Sequence, residues 1–209
     1  MKKIIDYKNW NRKEHFEWFK TFDEPFWGVV SEVDCSIAYE NTKKEGIPFF
    51  HNYLHKSLKA INMLEDFRLR IEDGKVVCYD TIHASATLNN ADGLYAMSFI
   101  EYDEDLNQFA DNLEAEISRV KQIKGLGVDS DTARKDTIHY SSVPWIKLTG
   151  LTHARNFKYK DSVPKITFGK CEEVNGKKIM NISINGHHGL IDGSHAGKYL
   201  QLFQELLNN

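Results

Sequence analysis

Apolar positions recur along the chain with helical spacing in four places and in short strand-like runs elsewhere. Phe16, Trp18 and Phe19 begin an apolar side behind Asn11-x-x-Glu14, a spacing that predicts a capped helix start. Phe50, Leu54, Leu58, Ile61 and Leu64 make one stripe behind Pro48, which suits a first helical turn. Leu106, Phe109, Leu113, Ile117 and Val120 make another. Asp103, Glu104 and Asp105 stand at its positive dipole end, Lys121 and Lys124 near its close, and Gly125 stops it. A last helix runs from about Asp192 or Ser194 to Leu207, with Ala196, Leu200, Phe203 and Leu207 on one side. Strands are expected at 67–71 and 76–79 around the turn Asp73-Gly74, and at 166–168 and 179–184 around Asn175-Gly176. Further candidates are 29–33, 96–102 and 145–151, while 125–137 reads as a surface loop. Helices and strands do not alternate regularly. The pattern predicts an α+β fold, a two-layer sandwich with a mixed sheet covered by helices, in one domain over residues 1–209.

Composition narrows the function classes. With 27 basic and 30 acidic side chains the net charge is -3, which leaves no basic excess for a nucleic-acid backbone. No stretch approaches the roughly 20 apolar residues that span a bilayer, and no apolar core follows Met1-Lys2-Lys3 as in a signal peptide. Cys35, Cys78 and Cys171 are odd in number and widely spaced, so no disulfide framework is implied. A soluble cytoplasmic protein is expected, with neither nucleic acid nor membrane as partner.

The chemistry-bearing run is Asn185-Gly186-His187-His188-Gly189-Leu190-Ile191-Asp192-Gly193, where a polar-faced strand gives way to the last helix. Imidazole is the side chain best suited to accept a proton near neutral pH. Two readings stay open on the residues alone: a proton-transfer site, or histidines filling a corner beside a carboxylate that caps the helix.

His187-His188-x-x-x-Asp192-Gly193 resembles the H-H-x-x-x-D-G signature of the chloramphenicol acetyltransferase family. Other segments resemble the family in collinear order: 9–17 (NWNRKEHFE), 67–74 (FRLRIEDG), 79–82 (YDTI), 141–145 (SSVPW) and 166–170 (ITFGK). The resemblance implies a six-stranded mixed sheet with helices and a homotrimer whose active sites lie between subunits. It implies transfer of an acetyl group from acetyl-CoA, a co-substrate and not a resident cofactor, to a hydroxyl of chloramphenicol or a related small alcohol. His188 maps onto the general base and Ser141 onto the hydroxyl that steadies the oxyanion, with Ser142 the adjacent alternative. Thr167 matches a threonine that helps bind a water near the intermediate. Arg12 and Asp192 match a buried ion pair that fixes the corner holding the base. Trp145, Lys170 and Ser141 are expected along the path of the CoA thioester.

Some positions depart from the pattern. Phe19 stands where the antibiotic-modifying enzymes often carry tyrosine, and Cys171 where an aromatic usually follows the lysine. Residues 86–95 (ATLNNADGLY) replace a stretch that supplies aromatic walls for the antibiotic, so a different hydroxylated acceptor is an alternative. Other readings are a metal site from His188, Asp192 and His195, with His51 and His55 as a second pair, and a catalytically idle trimeric ligand-binding module. The dihydrolipoamide acyltransferase core, with its related D-H-x-x-x-D-G signature, is the third. The resemblance already accounts for His188 and Asp192, so no metal is expected.

Overall fold

Alternation of apolar and polar residues, clearest in the middle of β8 and β9, builds much of the central sheet, and the computed structural model describes residues 1–209 of the chain. Its longer strands are β2 (Phe26–Asp34), β5 (His83–Asn89), β7 (Thr137–Ser142), β8 (Lys165–Val174) and β9 (Lys177–His187). With β6 (Tyr95–Met97) they form a six-stranded sheet in the order β2-β9-β8-β7-β5-β6. β7 lies parallel to both β5 and β8, and the other pairs are antiparallel, so the sheet is mixed. A second sheet of three strands joins β1 (Lys2–Ile4), β4 (Lys75–Tyr79) and β3 (Leu69–Glu72) in the order β1-β4-β3.

One face of the large sheet carries Ala84, Ala86, Ile138, Tyr140, Ile166, Phe168, Ile182 and Ile184, all in the hydrophobic core. Helices cover it. α3 (Phe49–Met63) brings Tyr53 to 4.7 Å from the Phe168 ring, and α5 (Gly193–Leu207) brings Phe203 to 6.2 Å. α1 (Lys13–Phe19), α2 (Ser36–Glu45) and α4 (Leu106–Val120) complete the helices, and Leu54, Leu58, Ile61, Phe109 and Leu113 are fully buried. Burying a large aliphatic or aromatic side chain is worth roughly 1.5–3 kcal/mol each, which fixes the helices on this face.

The opposite face is polar. Register places Ser141 beside Thr167 and Thr167 beside Ser183, while Thr87 Oγ1 lies 3.4 Å from Ser141 Oγ. The next row along the strands holds Ser85, His139, Lys165, Asn185 and Gly28.

Several sequence expectations need correction. Helix α1 has Arg12 as its N-cap with no side-chain cap, so the expected Asn11–Glu14 box does not form. The capping box sits instead at α5, between Asp192 and His195. Residues 145–151 are not a strand. Pro144 has no N–H to offer a ladder, and the hydrogen bonds to β8 here are Lys170 N to Ile146 O and, just before the segment, Val143 N to Phe168 O. The expected strand 96–102 stops at Met97 because Ser98 Oγ takes over the β5 backbone, donating to Ala86 O and accepting from Ala86 N. Phe67 and Arg68 lie in a 3-10 turn, not in β3. The hairpin at Asp73-Gly74 forms as expected, with φ of 48° and 74°.

Candidate active site

His188 sits just past the end of β9, at the corner where the chain turns toward α5. Its ring stacks on Phe19 at 4.4 Å and leans on Trp27 at 5.3 Å, so two aromatic walls restrict its rotation. Nδ1 lies 3.3 Å from Ile191 O. A carbonyl can only accept, so Nδ1 carries the proton and Nε2 keeps a lone pair. Trp27 Nε1 donates to the same carbonyl at 2.8 Å.

The corner itself is tied from the N-terminal end of the chain. Arg12, 7% exposed, donates from Nη1 to Asp192 Oδ2 at 2.5 Å and from Nη2 to His188 O at 2.9 Å. Asp192 also caps α5, accepting from Ser194 N at 2.9 Å and Ser194 Oγ at 2.8 Å. The sequence left helix cap and ion-pair partner as alternatives; Asp192 does both. Burial pushes its carboxyl up, but hydrogen bonds from Arg12 and Ser194 outweigh that and hold it well below the usual carboxylate range.

His187 points the other way and is 4% exposed. Its Nδ1 accepts from Gly189 N at 3.1 Å, and burial together with the nearby Arg155 charge pushes its pKa down to about 4. The two adjacent histidines therefore differ in kind: one is a neutral packing group and the other a half-exposed ring with a free nitrogen.

Ser141 and Thr167 lie elsewhere, side by side on the polar face. Thr167 is 1% exposed and its hydroxyl has no hydrogen-bond partner. Ser142 Oγ lies 3.1 Å from Tyr53 Oη on the helix-covered face, while Ser141 Oγ keeps only the longer contact of 3.4 Å to Thr87 Oγ1 on the polar face. Trp145 and Lys170 come together at the β8 irregularity, because Lys170 N bonds Ile146 O; Trp145 is 77% exposed. At about 4.8 Å between strands and 3.3 Å per residue, Ser141 lies nearly 20 Å from His188 within one chain. The proposed site residues thus form two clusters: Arg12, His188 and Asp192 in one, and Ser141, Thr167, Trp145 and Lys170 in the other.

The histidines of the metal reading are committed otherwise. His195 Nδ1 accepts from Asp192 N at 3.0 Å, and its Nε2 faces Asp66 Oδ1 at 3.4 Å. His51 Nε2 bonds Glu114 at 2.7 Å, and His55 Nε2 donates to Asp103 O at 3.1 Å.

The family model described as Chloramphenicol acetyltransferase matches residues 2–204. The chain belongs to the chloramphenicol acetyltransferase family. Members of this family are acyltransferases. A solved chloramphenicol acetyltransferase superposes with a TM-score of 0.91 and 30% identity, covering 99% of this chain and 100% of its own. A chloramphenicol acetyltransferase of Campylobacter coli is 26% identical over 212 residues, covering 98% of this chain and 97% of its own length. The dihydrolipoamide acetyltransferase of Azotobacter vinelandii shares the fold, with a TM-score of 0.68 at 17% identity over 94% of this chain and 86% of its own.

Sequence reasoning missed Trp27 as the second wall of His188. It also missed the polar face of the large sheet. The signal was present as period-2 polar positions, Lys165 and Thr167 on one strand, Ser183 and Asn185 on the next.

Proposed function

We propose that this chain transfers an acetyl group from acetyl-CoA to a hydroxyl of a small acceptor, with His188 as general base. The observation that carries the reading is the His188 tautomer: Nδ1–H held on Ile191 O, with Nε2 left to accept a proton. The acceptor O–H gives its proton to Nε2 as the oxygen bonds to the thioester carbonyl carbon. Ser141 Oγ–H donates to the oxyanion that results, a contribution typically worth about 3 kcal/mol of barrier. Collapse breaks the C–S bond, and the departing thiolate takes the proton from the His188 imidazolium. Thr167, with its unpartnered buried hydroxyl, holds a water beside the intermediate. Trp145 and Lys170 contact CoA. Arg12 and Asp192 are positioning residues, since they act through the His188 backbone and the corner.

The two clusters lie too far apart in one chain for His188 and Ser141 to meet over one carbonyl. That separation supports a homotrimer in which His188 of one copy works opposite Ser141 of the next. Chloramphenicol, named for the relatives, is one candidate acceptor. Phe19 at the His188 wall and the polar segment 86–95 are grounds for testing others beside it.

Release of CoA thiol from acetyl-CoA over a panel of hydroxylated acceptors tests the proposal. His188→Ala should cut kcat at least 10³-fold with acetyl-CoA affinity unchanged. Mixing His188→Ala with Ser141→Ala protein should restore part of the activity, because some interfaces then carry two intact halves. Absence of any acetyl-CoA binding by calorimetry would sink the assignment, and near-normal turnover by His188→Ala would remove its role as base.

A further inference from the structure

A cavity of about 510 Å³ opens on the polar face of the large sheet, between β2, the strand ends of β8 and β9, and residues 149–155. Phe26, Gly28 and Val30 line it from β2, whereas Trp27, paired with Gly186, turns its indole to the opposite face of the sheet, toward Ile191 and His188. Its charged groups are already spent on one another. Arg155 Nη1 donates to Glu24 Oε1 at 2.6 Å, and Lys165 Nζ donates to Asp161 Oδ2 at 2.5 Å and to Val163 O at 3.1 Å. The Phe26 ring is occupied too, with the Arg155 guanidinium 3.5 Å and the Lys165 ammonium 4.6 Å from its centroid. What remains open is hydrogen-bonding capacity. Ser183, 1% exposed, has no partner for its hydroxyl, and Asn185 Oδ1 and His153 Nε2, neighbours on the same wall, have none beyond each other.

Buried hydroxyls and amides are rarely left unpaired in native proteins. Paired charges offer a ligand donors and acceptors without net charge, and this set mixes an amide oxygen, which only accepts, with a hydroxyl that does both. An aryl group would fill the volume and leave these groups unmet. A carboxylate or phosphate would meet cations that are already neutralised, beside Asp161 and Glu24. A hydroxyl-rich molecule meets each of them.

We propose that the cavity binds a neutral polyhydroxylated compound, a sugar or polyol, and that this is the acceptor. The acetyl-transfer half rests on the function proposed above; the binding half does not. The volume lies within the range of small-molecule sites, ample for one or two sugar rings.

The test has two arms. In the first, methyl glucoside, maltose and sorbitol are titrated calorimetrically against the protein without acetyl-CoA, beside glucuronate and chloramphenicol. At least one neutral polyol should bind tenfold or more tightly than both comparators. Ser183→Ala and Asn185→Leu should each weaken that binding five- to tenfold, the range expected for one buried hydrogen bond. Thermal melts show whether either variant has lost its fold, and Ser183→Ala, the smaller change, decides where Asn185→Leu has. Preference for glucuronate or chloramphenicol, no polyol binding, or binding indifferent to both substitutions overturns the cavity assignment. In the second arm, acetyl transfer to the bound polyol is followed by CoA thiol release. Polyol binding with acetyl-CoA binding but no transfer overturns the acceptor half. Polyol binding without any acetyl-CoA binding overturns the proposed function and leaves the cavity assignment standing.

Discussion

Replacing Arg12 by methionine tests how the His188 corner is held. Arg12 joins positions 180 residues apart, and its two hydrogen bonds reach a carboxylate and a backbone carbonyl. Methionine keeps the apolar stem and removes both. Both bonds have the charged guanidinium as donor, and a charge-assisted bond is worth about 1.5–3 kcal/mol, the lower end applying to the one on the neutral carbonyl. Breaking a fully buried pair costs about 3–5 kcal/mol. Asp192 retains 28% side-chain exposure and its Ser194 bonds, so water recovers part of the loss. The expected cost is therefore about 3 kcal/mol, a large fraction of the 5–15 kcal/mol typical of folded proteins. Asp192→Asn should cost less, because it leaves the His188 carbonyl bond in place, and the double-mutant cycle should give a coupling of about 1.5–2 kcal/mol. The dependence on pH has a fixed sign. Asp192 is held below the ordinary carboxylate value, so its contribution is complete above about 3.9 and is lost as pH falls below that. Urea denaturation followed by tryptophan fluorescence, at fixed protein concentration between pH 3 and 8, measures all three quantities. A cost under 1 kcal/mol, or a coupling of zero at pH 7, would refute the reasoning. In an active preparation, kcat should fall further than KM rises, since the pair holds the base and not the substrate.

Two further outcomes follow from buried groups away from the reacting atoms. His187, pushed from its ordinary 6.5 to about 4, stabilises the fold fully above 6.5 and less as pH falls toward 4, by about 3 kcal/mol in all. His187→Gln should therefore flatten part of the acid limb of a stability profile, and parallel profiles for the two proteins would contradict this. Arg70 is fully buried and donates to four carbonyls, those of Phe67, Leu69, Lys135 and Thr137. Arg70→Met should cost at least about 4 kcal/mol, and Arg70→Lys should recover only a fraction, because an ammonium cannot span the fork. Equal urea midpoints for Arg70→Lys and the parent would show that the fork geometry is dispensable.

Sequence patterning reached the elements whose apolar residues all face one way. Helices α3, α4 and α5 were legible from their stripes and the two hairpins from their turn residues, although Pro48 stands outside α3 as its N-cap and α4 ends at Val120, before Gly125. It missed α2, where only Ala38 and Thr42 are buried and the flank is charged. It missed β5 and β7 because Ala84, Ser85, Ala86 and Ser141, Ser142 carry little of the β-branched signal; their place in the sheet comes from neighbours on both sides. At the site, His188 and Asp192 stood out as a motif. Their link to Arg12 came through family resemblance, since no periodicity joins residues 180 positions apart. Trp27 was hidden among strand residues: on an edge strand an aromatic reads as core, and its indole N–H on Ile191 O is a tertiary fact.

The exposed apolar residues bear on the proposed assembly. Single exposed hydrophobes on a surface carry no message, but two groups of them border the two site clusters. Trp18, 65% exposed, and Phe22, 43% exposed, extend the aromatic group that begins at Phe19 on the His188 ring, with centroids 6.0 Å from Trp18 to Phe22 and 5.1 Å from Phe19 to Phe22. Trp145, 77% exposed, and Ile146, 57% exposed, flank the other cluster, just beyond Ser141 and beside Lys170. Each half of the proposed site is thus bordered by large apolar surface that one chain leaves uncovered. Buried at about 25 cal/mol per Å², tryptophan-sized surfaces contribute several kcal/mol to an interface. A rotation that carries one border onto the other would bring His188 over Ser141 and cover both. The same residues would then exclude water from the oxyanion, where Ser141's hydrogen bond is worth most. Assembly and catalysis would rest on one set of contacts.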